Sequence, residues 1–153
     1  MRGVTLIELM IALAISAILA LAAAPFFGDY ITNSRLRESG NALLAQTLLA
    51  QTEALKRNST VRVQMVGSDV NLLDMAAGEP GMLIRQLALT RPVTVATNTT
   101  LNFNSNGRPL AGDVAVNLKA AGSSCNAERR CPGLRVDAGG AVRLCGDHIN
   151  GCP

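Results

Sequence analysis

No charged residue interrupts the chain from Leu9 to Gly28, and a lone carboxylate, Glu8, stands directly before that run. About 20 apolar residues are enough to span a bilayer. A carboxylate at the mouth of such a segment is costly by itself and calls for a positive partner. The natural partner is a positive charge on another copy of the same kind of segment. An ordinary secretory signal has a short apolar core and a small-residue cut site after it. Here that site would be Ala22-Ala23-Ala24, with Glu8 at the start of the core and Pro25 directly after the cut. Both are poor contexts for a signal of that kind.

The segment Gly3-Val4-Thr5-Leu6-Ile7-Glu8, the apolar run behind it and Pro25 within the run resemble the type IV pilin signature. That signature is the class III signal shared by pilins, minor pilins and secretion pseudopilins. The resemblance implies that a prepilin peptidase cuts after Gly3 and that the new terminus, Val4, is N-methylated. It also implies that Glu8 complements the terminal amine of a neighbouring subunit during assembly. The residue after the cut is usually Phe in that family and is Val4 here, and the leader Met1-Arg2-Gly3 is shorter than most. Residues 1–3 are thus expected as leader, 4–30 as transmembrane and filament-core helix, and 31–153 as a periplasmic globular domain. Arg2 on the short side of the anchor favours a cytoplasmic amino end and a single pass through the inner membrane.

Helix is expected from Val4 to about Arg57, since Ala and Leu dominate and are strong helix formers. Pro25 cannot donate a backbone hydrogen bond, which predicts a kink near residues 21–25. Beyond Tyr30 the pattern turns amphipathic. Leu36, Leu43, Leu44, Leu48, Ala50 and Leu55 can share a broad face, with Gln46, Gln51 and Glu53 mostly elsewhere. Lys56 and Arg57 suit a carboxyl end, and Asn58-Ser59 is a plausible stop. Short β runs follow: 61–66, 70–73, 93–96, 99–103, 114–118, and a final hairpin of 133–137 with 141–145 around Ala138-Gly139-Gly140. Residues 82–89 suit a strand or a short helix. The order of elements gives an α+β fold: a long amino-terminal helix packed on antiparallel sheet, with a disulfide-bound carboxyl-terminal tail.

All four cysteines, Cys125, Cys131, Cys145 and Cys152, fall late in the chain. An even, clustered set reads as a disulfide framework in an oxidising compartment. Their Cys-x5-Cys and Cys-x6-Cys spacings fit neither a zinc ribbon nor a C-x-x-C redox motif, and His148 is the single histidine, so no metal site is assigned. Sequence leaves open the local pairing, Cys125 with Cys131 and Cys145 with Cys152, and a Cys131–Cys145 clamp across the hairpin. No nucleophile–base pair or phosphate loop is present, so neither an enzyme nor a cofactor is expected. Asn58 and Asn98 head glycosylation-like triplets that read as turn and strand residues.

The segment Leu101-Asn-Phe-Asn-Ser-Asn-Gly-Arg108 and the final Leu-Arg-Val…Val-Arg-Leu hairpin look like the minor-pilin branch that includes FimT, FimU and the pseudopilin GspH. That resemblance implies a structural role: a minor pilin built into a type IV pilus with other minor and major pilins, priming or capping its assembly. One alternative is a GspH-like pseudopilin of type II secretion. Another is a minor pilin that binds DNA for uptake. Some relatives do so through Gly-Arg-x-Arg, and the matching stretch here is Gly140-Ala141-Val142-Arg143, with Ala141 in place of the first arginine. Arg135 and Arg143 are the candidate contacts. The formal net charge of +3 is too mild to demand nucleic acid by itself.

Overall fold

The structure, a computed structural model, describes residues 4–152, with the side chains of 23–26 excepted. The expected leader, Met1-Arg2-Gly3, lies outside the described residues, and so does the side chain of Pro25, on which the expected kink rests. One helix, α1 (Leu6–Arg57), precedes eight strands among the described residues: β1 (Val61–Val66), β2 (Asp69–Asp74), β3 (Met82–Ala88), β4 (Val93–Val95), β5 (Thr99–Phe103), β6 (Val114–Ala120), β7 (Gly133–Val136) and β8 (Val142–Cys145). The ambiguous stretch at 82–89 is therefore strand. Two compact units divide the chain, Met1–Ile31 and Thr32–Pro153.

In the first unit the described residues are helix from Leu6 onward, and the large apolar side chains described there are exposed. Leu6, Ile7, Leu9, Met10, Ile11, Leu13, Ile15, Ile18, Leu19 and Leu21 are each more than half exposed. They point to every side of the helix, the pattern of a segment meant for lipid or for a bundle. Among the described residues no single helix is long and apolar enough to cross a membrane; the stretches Leu6–Ala22 and Phe27–Arg57 meet that requirement only as a pair.

The second unit holds two four-stranded sheets, in the orders β3-β2-β1-β5 and β4-β6-β7-β8, with every pairing antiparallel. Alternation along the strands sends Val61, Val63, Met65, Val70, Leu72, Leu101 and Phe103 inward from the first sheet. Val116, Leu118, Leu134 and Val136 come inward from the second. Leu36, Leu43, Ala50 and Ala54 of α1 join the same buried cluster, so one core serves the helix and both sheets.

The buried face of α1 is turned from the expected one. Leu36, Leu43 and Ala50 are buried and Leu44 is partly so, but Leu48 and Leu55 remain 44% and 55% exposed. Successive helical residues are about 100° apart, so Leu48 sits well round the helix from the buried Thr47. Ser39, Gly40, Gln46 and Thr47 occupy the inner face instead. Small residues there admit close packing. A β-carbon on Gly40 would come within 3.2 Å of Pro132, so the chain entering β7 lies directly on the helix.

The end of α1 follows local chemistry. Asn58 takes a left-handed φ of 49°. Its N–H donates to Leu55 O (3.3 Å), and the Ser59 N–H donates to Ala54 O (3.3 Å). These two bonds make a Schellman cap with Asn in the usual glycine place. Arg57 then reaches both Glu53 (2.7 Å) and Asp74 (3.1 Å), tying the helix end to β2.

Candidate functional site

At the head of α1, Thr5 and Glu8 form a capping box. The Thr5 N–H and hydroxyl both donate to Glu8 Oε2 at 3.2 Å, and the Glu8 N–H donates to Thr5 Oγ1 at 3.4 Å. Helix starts leave backbone N–H groups without partners, and a Thr-x-x-Glu pair satisfies two of them reciprocally. Val4, at the expected cut, sits just before this cap and is exposed. Sequence reasoning treated Glu8 as a bare charge; the Thr5-x-x-Glu8 spacing was the signal for the cap.

At the opposite end of the sequence, the disulfides are the local ones: Cys125–Cys131 and Cys145–Cys152. The Cα separations of 5.8 and 5.4 Å are ordinary for such bridges. By the chain-entropy argument, loops this short add about 2 kcal/mol each. The second loop folds back on the first: the His148 N–H donates to Cys131 O at 2.8 Å. Gly133 makes room for it, since a β-carbon there would stand 2.9 Å from His148 Cβ and 2.9 Å from an Arg135 guanidinium nitrogen. Among the described residues no group of histidine, cysteine and carboxylate side chains could hold a metal ion.

Arg135 and Arg143 lie directly opposite each other across the β7–β8 pair, on one face of the second sheet. They line a cavity of about 330 Å³ with Asp113, Asp137, Ala141 and Cys152. Both guanidiniums are engaged. Arg135 donates to Asn117 Oδ1 (2.8 Å) and Leu134 O (3.0 Å). Arg143 lies 3.4 Å from Asp137. The two arginines and two aspartates on this lining cancel in formal charge.

A side chain that sequence reasoning passed over organises this end of the domain. Gln51 donates through Nε2 to Gly107 O (3.0 Å) and Gly140 O (2.6 Å). It thereby joins the turn after β5 to the turn between β7 and β8. Each turn is closed by its own residue: Asn104 Oδ1 accepts from the Asn106 and Arg108 N–H groups, and Asp137 Oδ1 accepts from that of Ala141. Gly140, at φ +93°, lets the backbone approach; a β-carbon there would stand 3.0 Å from Gly107 O. The Leu101–Arg108 segment and the final hairpin, singled out separately in the sequence, are thus one assembly held by the helix.

Residues 1–24 match the prokaryotic N-terminal methylation motif. Residues 39–140 match the family described as type II transport protein GspH. No curated protein matches the chain in sequence. Among solved structures, the type IV minor pilin FimU of Pseudomonas aeruginosa is similar, with a TM-score of 0.60 at 18% identity, over 72% of this chain and 88% of that one. The minor pseudopilin EpsH from the type II secretion system of Vibrio cholerae has a TM-score of 0.58 at 13% identity, over 75% of this chain and 96% of that one. At such identities the likeness is one of fold, and it agrees with the α+β arrangement of helix, antiparallel sheets and disulfide-bound tail. The chain belongs to the GspH family, the minor pilins and pseudopilins of type IV pili and type II secretion systems.

Proposed function

We propose that this chain is a minor pilin of a type IV pilus that enters the filament through residues 4–30 and helps to prime or cap its assembly. The observation that carries the reading is the first unit itself: apolar side chains exposed on every side of a helix headed by one carboxylate. Such a helix is stable only in lipid or among similar helices. Before assembly it would anchor the chain by a single pass in the inner membrane, with the disulfide-bound domain in the periplasm. A prepilin peptidase would cut after Gly3 and leave Val4 to be methylated. The Val4 amine of one subunit and Glu8 of its neighbour, each costly alone in hydrocarbon, then neutralise one another. Pro25 would loosen the helix where the bundle needs it. The globular domain would supply specificity toward other minor and major pilins, and its place in the filament would be the tip.

Two experiments test this. Removing the chain should abolish or sharply reduce surface pili while leaving protein secretion intact; lost secretion with normal pili would instead establish the pseudopilin reading, which the family match over residues 39–140 supports. Glu8→Ala should leave membrane insertion unchanged and block incorporation. Filaments that take up the variant normally would refute the pairing. Direct DNA contact through Arg135 and Arg143 has less support, because both guanidiniums are already engaged within the domain and share their cavity with two aspartates.

A further inference from the structure

The chain contains two Asn-Gly pairs, Asn106-Gly107 and Asn150-Gly151. Asparagine is a thermolabile residue, and a following glycine exposes it most. The glycine nitrogen can attack the asparagine side-chain carbonyl carbon, because no side chain on the glycine hinders the approach. Sequence makes the two pairs equivalent, and the fold separates them. Gly107 is buried, and its N–H donates to Asn104 O at 2.9 Å. Asn104 Oδ1 further accepts from the Asn106 N–H (2.9 Å) and the Arg108 N–H (3.0 Å). The nucleophile of that pair is thus engaged inside a closed turn. Asn150 and Gly151 are both exposed, and the Gly151 N–H has no hydrogen-bond partner among the described residues. A β-carbon on Gly151 would meet nothing within 4 Å, so water reaches this nitrogen freely. The Asn150 amide is meanwhile part of the loop's own fastening. It donates to Asp147 Oδ2 at 2.7 Å, while Asp147 Oδ1 accepts from the Ile149 N–H at 3.1 Å. The Asp147 carboxyl is held below the usual aspartate range, chiefly by that Ile149 N–H, so it is ionised at neutral pH.

We infer that Asn150-Gly151 is a site of spontaneous deamidation, and that the change loosens the Cys145–Cys152 loop from the rest of the domain. The Gly151 nitrogen loses its proton to solvent and bonds to Asn150 Cγ. The Cγ–Nδ2 bond breaks, and Nδ2 takes up a proton and leaves as ammonia. A succinimide ring remains. One water then opens that ring. Opening at Cγ restores the ordinary backbone and leaves aspartate; opening at the main-chain carbonyl routes the backbone through the side chain and leaves isoaspartate. Nothing is oxidised or reduced, and water is the only co-reactant. Either product puts a carboxylate where the Asn150 amide donated to Asp147. A donor is lost and two like charges face each other. The isoaspartyl product also adds a methylene to the backbone of a ring closed by the Cys145–Cys152 bridge. That loop meets the first disulfide loop through the His148 N–H on Cys131 O at 2.8 Å, the bond that should open more often once the fastening is gone. The inference stands apart from the filament reading above.

The test uses the full chain in detergent micelles, disulfides intact, kept warm at mildly alkaline pH. Peptide mapping by mass spectrometry follows the conversion of amide to acid at each asparagine. Asn150 should convert first. Asn106 should convert at least about tenfold more slowly, the factor that one net hydrogen bond of about 1.4 kcal/mol supplies. In urea the two pairs should react alike, which assigns the difference to the fold. Asn150→Gln, whose extra methylene disfavours the ring closure, should remove the reaction at 150 and leave that at Asn106 as it was. Equal rates at the two pairs in the folded chain would overturn the inference. So would an Asn150 that stays intact over the time in which the unfolded chain converts. Asn150→Asp reproduces one product at once and isolates its effect. The His148 and Ile149 amides should exchange faster in this variant than in the wild type, and those of β1 should not change. Unaltered exchange at His148, in the variant and in the aged chain alike, would overturn the loosening.

Discussion

Gln51→Ala is expected to loosen the end of the domain that carries the final hairpin. The side chain gives both amide hydrogens to backbone carbonyls, Gly107 O at 3.0 Å and Gly140 O at 2.6 Å. Each hydrogen bond of this kind contributes about 0.5–1.5 kcal/mol net. Gln51 and Gly140 are half-buried and Gly107 is buried, so water replaces the lost donor poorly at Gly107 and partly at Gly140. The expected loss is about 2 kcal/mol. For a unit the size of Thr32–Pro153 that corresponds to about 8 °C in Tm. The assay is thermal and urea unfolding of a fragment beginning at Thr32, which retains the entire buried core.

Gln51→Glu sharpens the argument. It keeps the volume but replaces two donors with an acceptor that faces two carbonyl oxygens. It should therefore be less stable at pH 7 than Gln51→Ala, and the difference should shrink as the carboxyl is protonated. Hydrogen exchange localises the effect: the Arg108, Gly140 and Ala141 amides, bonded within the two turns, should exchange faster in both variants, and amides of β1 should change far less. A Gln51→Glu domain as stable as the wild type would refute the claim that these turns hang on the helix.

Asp74 is nearly buried, and its carboxyl is held below the usual aspartate range, chiefly by the Ala76 N–H (2.9 Å) and then by Ser59 and Arg57. A depressed folded value stabilises above the unfolded value of about 4 and loses that contribution as pH falls through the folded one. The stability gap between the wild type and Asp74→Asn should thus be open at pH 7 and close below about pH 4; a gap independent of pH would refute this. Gly133→Ala should cost about 1–3 kcal/mol by overpacking, because its β-carbon meets His148 Cβ at 2.9 Å, and pairing it with His148→Gly should recover part of the loss. Ala141→Arg, which restores the first arginine of the Gly-Arg-x-Arg stretch beside Arg143, should create salt-sensitive DNA binding where the wild type shows little; equal binding by both would show that the hairpin arginines suffice unaided.

The sequence was most readable where the signal is local. The strands at 61–66 and 99–103 and the hairpin at 133–145 follow from alternation and turn residues, and the stop at Asn58 from helix-end chemistry. The division into two sheets was not readable. It depends on β1 choosing β5 as its second neighbour and on β6 choosing β4 and β7, choices made by inner faces that meet only in the folded core. The same reason explains Leu48 and Leu55. Apolar character fixed a broad helical face, but small residues at 39, 40 and 47 decided which part of it the sheets could approach. Arg135 opposite Arg143 was legible from hairpin register. The hydrogen bond of Arg135 to Asn117, and the Asn33 clamp on the backbone of Arg130, join residues too far apart in sequence for any spacing rule.

Polar satisfaction separates the surfaces this chain keeps for itself from those it offers. The Arg135–Arg143 face is satisfied internally and can be explained without a ligand. Glu8 is satisfied only provisionally. Its cap is made by an exposed hydroxyl and one backbone N–H, a set that suffices in water but leaves a full negative charge unneutralised in hydrocarbon. Entry into lipid or a helix bundle therefore raises the demand for a cation at the point where the apolar run also needs cover. If Glu8 pairs with a neighbouring amine as proposed, the capping box would make Thr5 a positioning residue, because it holds the carboxylate at the helix mouth. Thr5→Ser should preserve incorporation and Thr5→Val should impair it, although both leave the charge in place. If Thr5→Val assembles as readily as the wild type, the charge alone suffices and the cap is only a helix start.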